Sequence, residues 1–314
     1  MNLNERIEAL HLLGEKLLLE SELESIIREA SLSNIWFTYE NINTALQTII
    51  DQYLQKDKLL HWTRNYSTIH QKNIGIIGAG NIPLVVFHDV LASFILGHKS
   101  KIKVSQKDNI LFQFVLKILT KIDPRTASFF EIVDRIKDID AIIATGSDNT
   151  ARYFHYYFDK YPHIIRKNRV GLAILNGNET DDQILALGQD VFQYFGLGCR
   201  NVSALRLPVG FDIPRLMRLW DSFKGLRDNH AYNNNFDYNL AIYLMNRQTY
   251  YVNDVFILKE DAALISRLAS VHFTYYNDIH GVISEITEMK NKIQVVVSCM
   301  DIPGIPTLMP GQAQ

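Results

Sequence analysis

The stretch Tyr194-Phe195-Gly196-Leu197-Gly198-Cys199-Arg200-Asn201-Val202-Ser203 carries one of only two cysteines in the 314-residue chain. Two glycines stand close before the thiol. On the amino side the sequence reads as a helix, capped at Thr180-Asp181-Asp182 and running through Phe195. On the carboxyl side Val202 to Leu207 reads as a strand ended by Pro208. A thiol between such elements sits on an exposed turn, where backbone N–H groups point at whatever the sulfur attacks. Cys199 is therefore the candidate nucleophile, of the kind acyl chemistry uses. The competing reading is a small buried apolar side chain, the usual fate of a free cysteine. Cys299, which follows Val295-Val296-Val297-Ser298, takes that second reading.

Outward from this loop the chain alternates between strands and helices. Toward the amino end lie Val170 to Leu175 and Asp140 to Thr145, both apolar enough to be buried strands. Before them come Lys101 to Ser105 and Ile74 to Ile77. Helices are predicted over residues 108 to 121 and from Asn81-Ile82-Pro83-Leu84 to Ile95, the latter stopped by Gly97. Residues 3 to 31 and 38 to 66 carry apolar residues at helical spacing, as in Leu10, Leu13 and Leu17 or Ile42, Leu46 and Ile49. Toward the carboxyl end, helices are predicted over 213 to 225, 236 to 247 and 278 to 287. Tyr250 to Leu258, Ala269 to Tyr276 and Ile293 to Ser298 read as strands. Strands alternating with helices predict parallel or mostly parallel sheets, here in two α/β lobes that meet near residue 165, with a helical N-terminus.

Composition narrows the function. The chain is 47% hydrophobic and 21% charged, with a net charge of −2 and mixed signs throughout. No basic patch argues for nucleic acid. No apolar run approaches the roughly 18 residues of a membrane span, and Met1-Asn2-Leu3-Asn4-Glu5-Arg6 is not a signal peptide. Two cysteines make no disulfide framework, so a reducing cytoplasm is the expected location. No Cys/His cluster at zinc spacing is present, so no metal is expected.

Two glycine-containing turns draw attention. Gly78-Ala79-Gly80 follows a strand, but Pro83 stands where a dinucleotide fingerprint needs its third glycine, and no acidic residue follows at the required place. Gly146-Ser147-Asp148 ends a strand and opens a helix. It reads equally as an anion site or as an ordinary capped connection.

Four features occur in the order, and near the spacing, of the aldehyde dehydrogenase superfamily. Asn81-x-Pro83 resembles its Asn-Phe-Pro turn, and Lys103 its cofactor lysine. Gly146-Ser147 resembles its phosphate turn, and Gly196-x-Gly198-Cys199 its nucleophile loop. Within that superfamily the chain most resembles acyl-CoA reductases of the bacterial luminescence type. That resemblance rests on Phe195 to Ser203, Gly80-Asn81-Ile82-Pro83, Asn253-Asp254-Val255-Phe256 and Asn34-x-Trp36-Phe37-Thr38. It extends over nearly the whole chain. It implies a helical and cofactor-binding domain over residues 1–165 and a catalytic domain over 166–290. Residues 291–314 would return toward the first lobe or a partner subunit. Relatives continue past Gly311-Gln312-Ala313-Gln314 with a further strand, so a shortened terminus is expected here.

The resemblance also implies a reaction. Cys199 would take the acyl group of a thioester such as a fatty acyl-CoA, and a nicotinamide would reduce it to an aldehyde. The Cys199 N–H and the Asn81 amide would hold the oxyanion. Lys103, Ser105, Gln106, Gly146 and Ser147 would bind the cofactor. Arg200 is a candidate helper of the thiolate. Aldehyde-oxidising members carry a Glu-Leu-Gly-Gly element whose glutamate activates water. The matching stretch, His163-Ile164-Ile165-Arg166-Lys167-Asn168-Arg169, has no carboxylate, and Glu179 comes too late. Its positive charge reads as a solvated loop or as a partner for coenzyme A phosphates. The missing base favours reduction. NAD-preferring members often have a glutamate three residues after the lysine. Gln106 and Lys107 here tolerate a 2′-phosphate, so NADPH is expected, with NADH as the alternative. Oxidation of an aldehyde to a thioester or acid competes with the reductive reading, as does an inactive assembly subunit. An acyltransferase or synthetase partner and a homo-oligomer are expected. The aromatics Phe192, Tyr194, Phe195, Phe273, Tyr275 and Tyr276 read as an acyl tunnel or, more simply, as core.

Overall fold

The computed structural model describes residues 1–66 and 70–314. The chain divides into two compact units, Met1–Lys167 and Asn168–Gln314. No helix among the described residues is long and apolar enough to cross a membrane.

The first unit begins with four helices: α1 (Leu3–Lys16), α2 (Leu23–Ser33), α3 (Tyr39–Tyr53) and α4 (Lys56–Thr63). Asn2 and Glu5 form a reciprocal capping box on α1, and the Thr38 hydroxyl caps α3, so each of these helices starts where its exposed N–H groups find acceptors. Leu10, Leu13, Ile42 and Leu46 face one core, which also takes the apolar faces of the helices that follow. Those alternate with strands: β1 (Asn73–Ile77), α5 (Phe87–Ile95), β2 (Lys99–Lys103), α6 (Asn109–Ile122), β3 (Phe130–Ile132), β4 (Ala141–Thr145), α7 (Asp148–Phe158) and β5 (His163–Arg166). The five strands are parallel, in the order β3-β2-β1-β4-β5. The direction of winding reverses between β1 and β4. In open α/β sheets a crevice forms outside the carboxyl ends of the strands at such a point, and ligands bind there.

The second unit holds β6 (Val170–Ile174), α8 (Asp181–Phe192), β7 (Val202–Pro208), α9 (Ile213–Trp220), α10 (His230–Met245), β8 (Tyr250–Val252), β9 (Ile257–Glu260), β10 (Ser270–Tyr276), α11 (Ile279–Met289), β11 (Ile293–Val297) and β12 (Thr307–Leu308). Its sheet runs β12-β11-β6-β7-β10-β9-β8 and is parallel except for the antiparallel β8–β9 pair. One apolar cluster includes Leu187, Trp220, Phe256 and Phe273, and another includes Leu172, Ala204, Val282 and Ile286. The alternation along β6 and β7 that separates these two sets is the period-2 signal of a sheet covered on both faces. The buried Arg206 of β7 is matched by a fork of Glu285 from α11.

Three local features differ from the sequence expectation. The helix expected from Asn81 begins only at Phe87, because Leu84 adopts a left-handed φ of 57°, which no helix can include. The single strand expected over 250–258 is two strands, since the Asn253 side chain accepts from the N–H groups of Val255 and Phe256 and turns the chain. The run expected as a solvated loop from His163 starts instead with β5, the edge strand beside β4.

Candidate active site

Cys199 lies on the connection from α8 to β7. After Phe192 the backbone reverses through left-handed conformations at Tyr194, Phe195 and Gly196, with φ of 53°, 59° and 74°. Left-handed backbone costs a residue with a Cβ on the order of 1–2 kcal/mol. Burial of the two rings offsets it: Phe195 lies 5.8 Å from the Tyr232 ring. Loss of solvation pushes the Tyr194 phenol up to about 12, so it is no acid or base near neutrality.

Asn201 fixes the rest of the loop. It is 2% exposed. Its Nδ2 donates toward the carbonyls of Asp190 (3.0 Å), Gln193 (2.9 Å) and Val191 (3.3 Å), and its Oδ1 accepts from the Gly198 N–H at 2.7 Å. A Cβ on Gly198 would stand 2.8 Å from that Oδ1, so glycine is required at this approach. The residue that follows, Cys199, is exposed. The loop thus presents its thiol from a pinned backbone, as its paired glycines predict.

Arg200 points elsewhere than expected for a thiolate helper. Its Nε donates to the carbonyl of Ala313. Asp190 accepts from the N–H groups of Gly311 (2.7 Å) and Ala313 (2.9 Å). Burial raises the Asp190 carboxyl, and those two amides and Arg200 oppose the rise. The second cysteine is half-buried, and burial, helped by Glu179, pushes its thiol upward. That makes Cys299 a poor thiolate. Glu179 is occupied by the N–H groups of Asn176 (2.7 Å) and Gly177 (3.0 Å), and so anchors the turn before α8. Phe192 packs edge-on to Trp220 and Phe256, and Phe273 is buried beside them. These aromatics are core.

In the first unit, the remaining candidates lie at or just beyond strand ends on the carboxyl edge of the sheet. Asn81 follows β1. Lys103 ends β2, and its carbonyl accepts from the Gly78 N–H at 3.2 Å. Ser105 caps the short turn that carries Gln106 and Lys107, both exposed. Gly80 lies so close to Ser105 that a Cβ would stand 2.3 Å from its Oγ. Gly146 and Ser147 follow β4. Ser147 Oγ accepts from the Thr150 N–H at 3.2 Å and caps α7, which occupies one of the first N–H groups of that helix. A lysine and one hydroxyl after β2, and a second hydroxyl at the helix N-terminus after β4, are donors of the type that the phosphates and riboses of a dinucleotide require. The residues fit a nicotinamide cofactor.

Sequence reasoning missed two features here. Asp108, 2% exposed, faces the N–H groups of Leu84 and Val85 without hydrogen-bond geometry to any described group. Its burial therefore dominates and holds the carboxyl well above the usual range. Arg166, at the end of β5, binds the buried Asp89 carboxylate of α5 through Nη1 at 2.6 and 2.8 Å. The only sequence signal was that Arg166 falls on a stretch without a carboxylate.

No family model matches the sequence, and no curated protein matches it. Solved structures do. An aldehyde dehydrogenase 21 from Physcomitrella patens, in complex with its reaction product succinate, superposes with a TM-score of 0.70 at 13% identity, over 98% of this chain and 79% of that one. An NAD-dependent aldehyde dehydrogenase from Sinorhizobium meliloti gives 0.71 at 11% identity, over 98% and 76%. An NADP-dependent enzyme of E. coli gives 0.67 at 11% identity, over 97% and 79%. The fold is that of the aldehyde dehydrogenases. The aldehyde-dehydrogenase-like architecture expected from the sequence is therefore present, at identities far too low to carry an activity across.

Two outcomes are expected. Asn201→Ala strands the Gly198 N–H and the carbonyls it served, and should cost about 2–3 kcal/mol of stability. It should also slow any Cys199-dependent turnover by about 100-fold or more through displacement of the loop. Urea denaturation measures the first effect, and steady-state turnover measures the second. A raised pKa means that the folded chain holds the Asp108 proton more tightly than the unfolded chain. Stability from this group is then full below the unfolded value of about 3.9 and is lost as pH rises through the higher folded value. Asp108→Asn should therefore gain in Tm over wild type as pH climbs from about 4 toward about 8. A gap that stays constant with pH would contradict this account.

Proposed function

We propose that the chain is an acyl thioester reductase that uses a nicotinamide cofactor and a thioacyl-Cys199 intermediate. The observation that carries the reading is the pinned, exposed Cys199 on an aldehyde-dehydrogenase fold. The carboxylate-free edge strand favours reduction of the intermediate over its hydrolysis.

The Cys199 thiolate attacks the thioester carbonyl, the carbon–sulfur bond to coenzyme A breaks, and the coenzyme A thiolate leaves. Backbone N–H groups of the loop hold the oxyanion, each donor of this kind contributing about 3–4 kcal/mol, and the resemblance implies the Asn81 amide as a further donor. Lys103, Ser105, Gln106, Gly146 and Ser147 would hold a nicotinamide cofactor, which when bound would supply the hydride that reduction requires. Cys199 then departs as thiolate and the aldehyde is released. In sum, acyl-CoA, reduced cofactor and a proton give aldehyde, coenzyme A and oxidised cofactor. Water must be kept from the thioester in between. The stretch that resembles the water-activating element supplies Arg166 in place of a general base, and its partner Asp89 is engaged in the ion pair.

Oxidation of an aldehyde is the second reading. It is favoured by the structural neighbours, two of which are named aldehyde dehydrogenases. A discriminating experiment is intact-mass analysis after mixing with acyl-CoAs of several chain lengths. An acyl adduct should form, vanish in Cys199→Ala, and discharge to aldehyde on addition of NADPH. If no chain length gives an adduct, the thioester route is wrong. If the adduct hydrolyses to acid at the rate at which it forms, the oxidative reading takes its place.

Cofactor preference follows from Gln106 and Lys107, which are exposed and uncharged or cationic where a carboxylate would repel a 2′-phosphate. NADPH should give the higher kcat/KM. Gln106→Glu should shift the NADPH to NADH ratio by about tenfold toward NADH, the equivalent of about 1.4 kcal/mol of introduced repulsion. A wild-type preference for NADH would overturn the assignment.

A further inference from the structure

At the opposite end of α7 from Ser147, three side chains converge. His155 is in the last turn of α7, Asp159 is its C-cap residue, and His163 is the first residue of β5. Their ligand atoms all lie within 4.8 Å of one another. His155 Nδ1 is 2.8 Å from Asp159 Oδ1, and His163 Nε2 is 3.7 Å from the same oxygen. The two imidazole rings meet edge-on, with centroids 5.6 Å apart. Spaced His-x-x-x-Asp-x-x-x-His, the set escapes a search for paired cysteines and histidines.

We propose that His155, Asp159 and His163 form a binding site for a divalent cation of the zinc class. Zinc bonds to nitrogen and oxygen are about 2.0–2.1 Å long, so tetrahedral ligands lie about 3.3 Å apart. The observed 2.8 and 3.7 Å bracket that separation. Two imidazoles and a carboxylate suit zinc, cobalt or nickel better than calcium or magnesium, which prefer all-oxygen shells.

An independent observation concerns how His163 is held. Its Nδ1 lies 2.9 Å from the backbone carbonyl of Tyr161. A carbonyl can only accept, so Nδ1 carries a proton, and in the neutral ring the lone pair is on Nε2, the atom turned toward Asp159. Histidine ligands are commonly set in this way, with the second ring nitrogen donating to a carbonyl or carboxylate. The neighbouring cation is not in competition: the Lys160 ammonium sits over the Tyr161 ring, 5.1 Å from its centroid. On binding, the metal takes His155 Nδ1 and Asp159 Oδ1, and the ring proton that lay between them moves by way of solvent to His155 Nε2. Water completes the fourth position, since only three protein ligands are offered.

Such a site is a clamp. It ties the last turn of α7 to the first residue of β5 across the short connection between them. Binding to the folded chain alone raises its stability by mass action. The inference stands on the first unit's geometry and is independent of the reaction proposed above.

The test is titration of the tag-free, EDTA-treated full chain with ZnCl2, followed by calorimetry, and with CoCl2, followed by visible absorbance. The expected result is saturable one-to-one zinc binding, a rise in Tm, and the intense bands of four-coordinate cobalt. Affinity should fall at least about tenfold in His163→Ala and in His155→Ala, with unchanged circular dichroism. His280→Ala, on α11 of the second unit, should titrate like wild type. The idea is overturned if the wild-type chain takes up neither metal in a saturable way. It is equally overturned if both histidine variants bind as tightly as wild type. Should either variant misfold, the cobalt spectrum of the wild-type chain decides: six-coordinate bands only would rule the site out.

Discussion

The buried amide of Asn201 is the constraint on which the Cys199 loop depends. A chain that leaves a helix and re-enters a parallel sheet must cross the sheet edge without hydrogen-bonded partners of its own. Buried N–H and C=O groups left unpaired there would cost more than the loop gains in contacts. One side chain settles several of them at once: Oδ1 takes the Gly198 N–H, while Nδ2 serves the carbonyls that end α8. Because the amide grips both the residue just before the thiol and the end of the helix, Cys199 has little freedom, although it is exposed. The left-handed Tyr194 and Phe195 are a consequence. The chain must turn sharply to bring Gly198 within reach, and the two buried rings hold that turn.

The same requirement shapes the loops of the first unit, with a different outcome. Ser105 and Ser147 each engage their hydroxyl with a nearby N–H, so the turns after β2 and β4 are internally capped. Lys103 and Lys107, both exposed, add two cations at this edge. Asp108 departs from that pattern. Its carboxylate is buried beneath the Leu84 turn and gains only partial compensation from two amides. Its presence at this edge costs stability at neutral pH.

Much of the architecture was legible because parallel sheets covered on both faces write a strong signal: short apolar runs separated by helical periodicity. Ile142 to Ala144 and Val170 to Ile174 are of this kind. The weak spots share a cause. The three-residue β3 and the two-residue β12 are too short for any period to register. The late start of α5 turns on one left-handed residue, Leu84, whose side chain gives no hint of it. For the candidate site, the exposed position of Cys199 was legible from two glycines and a helix-to-strand junction. Its clamp was not. Asn201 was visible in the motif, but its role lies in contacts to residues 190, 191 and 193, and these depend on how α8 ends. Arg200 shows the converse. A cation next to a cysteine suggests a helper, yet its guanidinium donates to a carbonyl more than a hundred residues away.

Arg166 and Asp89 bear most directly on what chemistry the fold can support. A strand end at the carboxyl edge of a parallel sheet is where a catalytic group can be held rigidly, since the ladder fixes its backbone. Here the Gly146 N–H donates to the Arg166 carbonyl, continuing the β4–β5 ladder to the last residue. A carboxylate at that place would be a well-held base. Arginine remains protonated at any ordinary pH and cannot take a proton from water. Asp89 is the carboxylate it meets, and two short charge-assisted contacts occupy its oxygens. This strand end therefore offers no group that activates water, which is the property the proposed reductive reading requires of it.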